Sequence, residues 1–178
     1  YVDRKYSKLE ARQVLNIFPK APLIGIIGRI TRKKGQLFLL EALIELKNRG
    51  IEVELLIFGS ATVNDHVSEN YYELMLKFVK KHEIEGIVHF VKYQEDVTVF
   101  YNAIDVFALA SHSETFGMVT IEAMLSKLPI LATKSGGTSE ILGYGKYGLL
   151  YEYENHLDFC QNVSWLLNNK IEIDKMSC

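Results

Sequence analysis

The strongest constraint on this chain is a series of short apolar stretches, each followed by a loop of small or charged residues and then by a helix-length segment. Leu23-Ile24-Gly25-Ile26-Ile27 empties into Gly28-Arg29, residues 53–58 into Gly59-Ser60, and residues 106–110 into Ser111-His112. Residues 129–132 lead to the turn Ser135-Gly136-Gly137-Thr138. Apolar runs of this length without alternation mark strands covered on both faces, as in a parallel sheet. Repeated strand-helix units with right-handed crossovers predict an α/β fold, a doubly wound parallel sheet of Rossmann-like type. Its ligand belongs at the carboxyl ends of the strands, near a topological switch point, where Gly28, Gly59, Lys92, Ser111 and Ser135 all fall.

The remaining pattern completes the alternation. Helices are expected over residues 36–48, from the loop at Asp65 to about 82, and over 96–102, 138–142 and 155–168, the last with Leu157, Val163, Leu166 and Leu167 inward. Residues 87–91 and 148–151 read as further strands. Ahead of the sheet, Leu9, Val14, Leu15 and Ile17 share one helix face, which ends before Pro19. Residues 1–22 therefore read as a linker with a first helix, and 23–178 as one Rossmann-like domain.

Composition narrows the function. With 178 residues, 48% of them hydrophobic, the chain can bury one substantial core. A formal charge of -2 with scattered Lys and Arg offers no basic face for nucleic acid. The two cysteines, Cys160 and Cys178, have neither metal-ligand nor disulfide spacing, so a reducing, cytoplasmic setting is expected. The apolar runs are strand-length, too short to span a membrane.

Chemistry concentrates between Ser111 and Leu142. A loop carrying Glu114 passes through Phe116-Gly117 into a helix carrying Glu122. Gly117 lets a ligand approach the backbone, and the first amides of that helix, Gly117, Met118 and Val119, suit an anion such as a diphosphate. Thr120 on the same turn is a secondary hydroxyl candidate. Two carboxylates flanking such a site accept hydrogen bonds only, which suits diols rather than phosphates. Two solvated acids near a helix start are the plain alternative. In the first strand-to-helix loop, Arg29 beside Gly28 offers a bidentate grip on phosphate, and Lys34 a compact charge for a leaving diphosphate. Arg32 and Lys33 crowd the same segment, so a basic surface loop is the alternative there. His112 beside Glu114 is a candidate base, but a single loop histidine with no acid partner in the sequence is more often incidental.

Glu114-Thr-Phe-Gly-Met-Val-Thr-Ile-Glu122, together with Gly28-Arg29 and Lys34-Gly35, resembles the nucleotide-sugar signature of retaining glycosyltransferases of family 4. The resemblance covers nearly the whole chain and implies the C-terminal, donor-binding half of a GT-B fold. It implies that Glu114 contacts the transferred sugar, Glu122 the ribose, Gly117, Met118 and Val119 the phosphate and sugar, and Arg29 and Lys34 the diphosphate. In the family the loop at Lys92-Tyr93 meets the base, and Tyr93 is a candidate to stack there or a plain surface tyrosine. Departures occur at Ala110 and Ser139, where proline is common, and at Lys92, where glycine is. The resemblance further implies a nucleoside diphosphate sugar as substrate, no cofactor and no required metal. It also implies an acceptor-binding N-terminal domain that this chain lacks, with any membrane association set there. A dinucleotide-dependent oxidoreductase is the rival enzyme class, but the first loop lacks G-x-G-x-x-G spacing and Phe58-Gly59-Ser60 supplies no acid. A non-catalytic binding module is the other alternative.

Overall fold

The computed structural model describes residues 5–114 and 117–169. The order of elements is α1 (Lys8–Val14), β1 (Leu23–Ile27), α2 (Gln36–Asn48), β2 (Glu54–Phe58), α3 (His66–Lys81), β3 (Val88–Val91) and α4 (Thr98–Ala103). There follow β4 (Val106–Leu109), α5 (Met118–Leu125), β5 (Ile130–Thr133), α6 (Thr138–Ile141), β6 (Leu149–Tyr151) and α7 (His156–Asn168). Residues 1–4 and 170–178, which carry the outer ends of the expected linker and domain, lie outside the described residues.

All strand pairings are parallel, in the order β3-β2-β1-β4-β5-β6. The chain steps outward from β1 to β3, returns to β4 on the other side of β1, and then steps outward again. The switch point is therefore between β1 and β4, and the loops leaving those two strands diverge to opposite faces and open a crevice.

Each face of the sheet buries its own apolar set. On one, Phe38, Leu39 and Leu43 of α2, Met75 and Val79 of α3, and Phe159, Cys160 and Val163 of α7 pack on Ile24, Ile26, Leu55 and Ile57. On the other, Ala11 and Leu15 of the first helix and Val99, Phe100 and Tyr101 of α4 cover Leu23, Ile27, Leu56 and Phe58. Burial of each large side chain contributes roughly 1.5–3 kcal/mol. Every residue of β1, β2, β4 and β5 is buried, as continuous apolar runs require. The first and last helices differ in detail from the expected pattern. Leu9 and Val14 are exposed, and α1 packs through Ala11, with Leu15 and Ile17 following it; Leu157 is likewise exposed on the last helix.

Local chemistry fixes the helix starts. Ser7 and Glu10 form a reciprocal capping box at α1. Asp65 caps α3 through Val67 N, and Asn155 caps α7 through Asp158 N. The first helix is tied to the sheet by Asp105, which accepts hydrogen bonds from Leu23 N at 2.7 Å and Arg12 Nη2 at 2.8 Å and pairs with Lys8. On the other side of β1, at the same end of the sheet, buried Glu54 is held by Lys20 N and His89 Nε2, each at 2.6 Å.

Candidate functional site

The glycines after β1 and β2 fix the floor of the site. A Cβ on Gly59 would lie 1.9 Å from the Gly28 carbonyl oxygen, so only glycine lets these two loops pass. Hydrogen bonds from Gly28 N to Phe58 O and from Ile30 N to Ser60 O, at 3.0 and 3.1 Å, lock them together. Above this floor a pocket of about 480 Å³ opens at the carboxyl ends of the strands. Gly28, Arg29, Gly59, Tyr93, Val119 and Glu122 line it, bringing together residues from three strand-to-helix loops and α5. A cavity of about 560 Å³ opens near Phe18, Lys20 and Glu54, at the amino ends of the strands, where no helix N-terminus or loop glycine of the site reaches.

Gly117 caps α5 in the left-handed region, at φ 52° and ψ 35°. A Cβ there would come within 2.8 Å of Ile141 Cδ1. The left-handed turn favours glycine there, a local reason that stands beside the ligand approach expected from the sequence, and the Ile141 methyl is the far end of a side chain that can give way. Thr120 N and Ile121 N both donate to Gly117 O, at 2.8 and 3.2 Å. The amides of Met118 and Val119, which precede them, face outward at the positive end of the helix.

Lys34 and Glu114 meet across the switch point as an ion pair, and Ser111 Oγ donates to the same carboxylate oxygen at 2.9 Å. The loop carrying Glu114 is stitched to the next strand: Thr133 Oγ1 and Ser135 Oγ donate to Ser111 O at 2.9 and 3.1 Å, and Gly137 N to Glu114 O at 3.1 Å. Arg29 is exposed, with no ion pair among the described residues, and its carbonyl accepts from Gln36 Nε2 at 2.9 Å. It also borders a neighbouring hollow of about 500 Å³ that contains Arg32, Lys33 and Lys34.

Glu122 points from α5 toward α4, where its Oε2 accepts from Tyr101 OH at 2.6 Å. Tyr93 is 56% exposed, sits edge-on to Phe58 at 6.3 Å and donates its N–H to Ser60 Oγ at 3.2 Å. One expectation changes on the structure. Thr120 is fully buried and its hydroxyl has no partner among the described residues, so it faces the packing of α5 rather than the pocket. Met118 offers its amide only, since its side chain is 60% exposed at the rim. Phe116 lies outside the described residues. His112 stacks edge-on with Tyr153 at 4.9 Å and has no carboxylate partner among the described residues.

Taken together, the start of α5, Arg29 and Glu122 line one pocket, and the Lys34–Glu114 pair lies across the switch point beside them. The family described as glycosyl transferases group 1 matches residues 7–177. The chain belongs to this family. A D-inositol 3-phosphate glycosyltransferase from Corynebacterium urealyticum is 31% identical over 163 residues, which are 89% of this chain and 38% of that protein. The chain spans well under half the length of the curated relatives it matches. Among solved structures, Anabaena HepE in complex with UDP-glucose superposes with a TM-score of 0.84 at 23% identity, over 96% of this chain and 45% of that one. The C-terminal domain of a group 1 glycosyl transferase, LpcC from Francisella tularensis, superposes with a TM-score of 0.82 at 26% identity, over 99% of this chain and 91% of that one. The sheet is accordingly the Rossmann-like half of a GT-B glycosyltransferase.

In this glycosyl transferase domain the sequence reading missed Tyr101 and Ser111 as supports of the two glutamates. Ser111 was legible as a loop residue three positions from Glu114. Tyr101 gave no signal, because only the packing of α4 beside α5 brings it to Glu122, 21 positions away.

Proposed function

We propose that this chain is the donor-binding domain of a retaining glycosyltransferase of family 4, which takes a sugar from a nucleoside diphosphate sugar. The observation that carries the reading is the convergence of Gly28, Arg29, Val119 and Glu122 on one pocket at the switch point. The diphosphate sits over the amides of Met118 and Val119, gripped by the exposed guanidinium of Arg29. Glu122 accepts from the ribose hydroxyls. Glu114, steadied by Ser111 and Lys34, accepts from hydroxyls of the transferred sugar.

As the glycosidic bond breaks, negative charge grows on the leaving diphosphate. Arg29 and Lys34 stabilise that charge, so that the reading requires neither a metal nor a cofactor. Lys34 is positioned to shift from the Glu114 carboxylate toward the phosphate, which frees Glu114 for the sugar. The acceptor is bound by chain beyond this sequence, in keeping with the share of the relatives that it spans. Closure of the two halves excludes water, so this chain alone binds nucleotide and transfers little. UDP is the favoured nucleotide, supported by the HepE complex.

Parallel calorimetric titration with UDP, GDP, ADP and NAD tests the reading. A single nucleoside diphosphate should bind, and Arg29→Ala and Glu122→Ala should each weaken it about tenfold or more. Binding of NAD alone, or UDP affinity untouched by both substitutions, would overturn it.

A further inference from the structure

We infer that Tyr101 is a positioning residue for nucleotide recognition: its buried phenol holds the Glu122 carboxylate in the one orientation that accepts from the ribose. The inference rests on the proposed assignment of Glu122 to ribose. Tyr101 is 1% exposed, and its ring is wedged between Phe100 and Phe107, with centroids 5.0 and 6.1 Å away. Its hydroxyl lies 2.6 Å from Glu122 Oε2 and 3.3 Å from the Val119 carbonyl. A buried phenol needs an acceptor, and the Val119 carbonyl alone would satisfy it. The proton instead goes to the closer, charged acceptor. Burial first, and then the adjacent Glu122 carboxylate, push the phenol well above its usual pKa, in keeping with its role as the donor of this hydrogen bond.

The consequence falls on Glu122. A free glutamate on a helix surface samples several rotamers, and binding must then freeze one of them. With Oε2 tethered to a rigid, fully packed ring, that ordering is already complete, and Glu122 itself lines the pocket. Among the described residues no other donor reaches this carboxylate. Tyr101 itself does not line the pocket, so it acts on the ligand only through Glu122.

The test compares UDP with 2′,3′-dideoxy-UDP, which keeps base and diphosphate but removes the hydroxyls that Glu122 is assigned to meet. The intact chain should prefer UDP by about tenfold or more. Tyr101→Phe should cut that preference to about threefold or less, while its affinity for the dideoxy nucleotide falls by less than about twofold. A Tyr101→Phe protein that melts normally and keeps the full preference would overturn the inference and leave the ribose assignment standing, provided Glu122→Gln abolishes the preference. If the unaltered chain binds both nucleotides equally, or binds neither, the assignment of Glu122 to ribose falls and the inference with it. A general loss of packing would weaken both nucleotides alike, and that result also counts against positioning.

Discussion

Lys34 and Glu114 stand 80 positions apart in the chain and form one ion pair across the switch point, with Ser111 Oγ on the same carboxylate oxygen. The side chains retain 26% and 14% of their exposure, so the pair lies between the surface and buried extremes. Solvent screening lowers its worth below that of a sealed pair, and removing one partner strands the other in a half-dry crevice. Lys34→Ala should therefore cost about 1–2 kcal/mol, and the double-mutant cycle with Glu114→Gln should return a coupling of about 1 kcal/mol. Urea unfolding of the four proteins measures it. Strict additivity would show that the contact contributes nothing to the unliganded fold.

Tyr93 offers an exposed ring at the mouth of the pocket, held edge-on to Phe58. If a base stacks on it, Tyr93→Ala should weaken UDP by about two- to tenfold, whereas Tyr93→Phe should keep the affinity, since the ring face rather than the hydroxyl makes the contact. Equal losses in both variants would move the base elsewhere.

Gly59 and Gly86 make a matched pair of tests. A methyl at Gly59 collides with the Gly28 carbonyl, whereas one at Gly86 meets nothing within 4 Å. Gly59→Ala should destabilise by about 2–3 kcal/mol and open the floor of the site, because backbone rather than a yielding side chain must move. Gly86→Ala should be within about 0.5 kcal/mol of the parent. Thermal melts of the two variants decide the point.

Asp105 gives the pH dependence a sign. Burial opposes its ionisation, but Lys8, the Leu23 amide and Arg12 together outweigh that effect and hold its pKa below the ordinary 3.8. The folded state therefore binds this proton less readily than the unfolded chain does. The stability it contributes is fully present above about pH 4 and is lost as pH falls through the folded-state value. Asp105→Asn should melt lower than the parent at neutral pH, and the two curves should converge as the pH falls through the folded-state value. Parallel curves throughout would remove Asp105 as the cause.

The order of elements was readable in the sequence because the strands of a parallel sheet are apolar on both faces and the loops between them carry glycine and charge. Residues 23–27 and 36–48 coincide with β1 and α2 to the residue, the other boundaries of the sheet and its helices moved by one or two, and the first helix, expected to run up to Pro19, ends at Val14. The exposed Leu9, Val14 and Leu157 show where periodicity failed. At the end of a short helix the neighbouring element decides what is covered, and that element is not local in sequence. The candidate site was legible as a set of residue types, since glutamates, Arg29 and Lys34 at strand ends imply diphosphate and diol chemistry whatever their partners.

Sequence by itself determined the doubly wound alternation and the placing of the candidate residues at the carboxyl ends of the strands, because both follow from local pattern and from the fixed handedness of crossovers. Only tertiary structure decided that Lys34 neutralises Glu114, that Tyr101 tethers Glu122, that Thr120 turns inward and that Gly59 yields to Gly28. Those relations depend on distances between segments tens of residues apart. Distances of that kind are set by how α4, α5 and the two central loops pack on the sheet, and no local pattern encodes them.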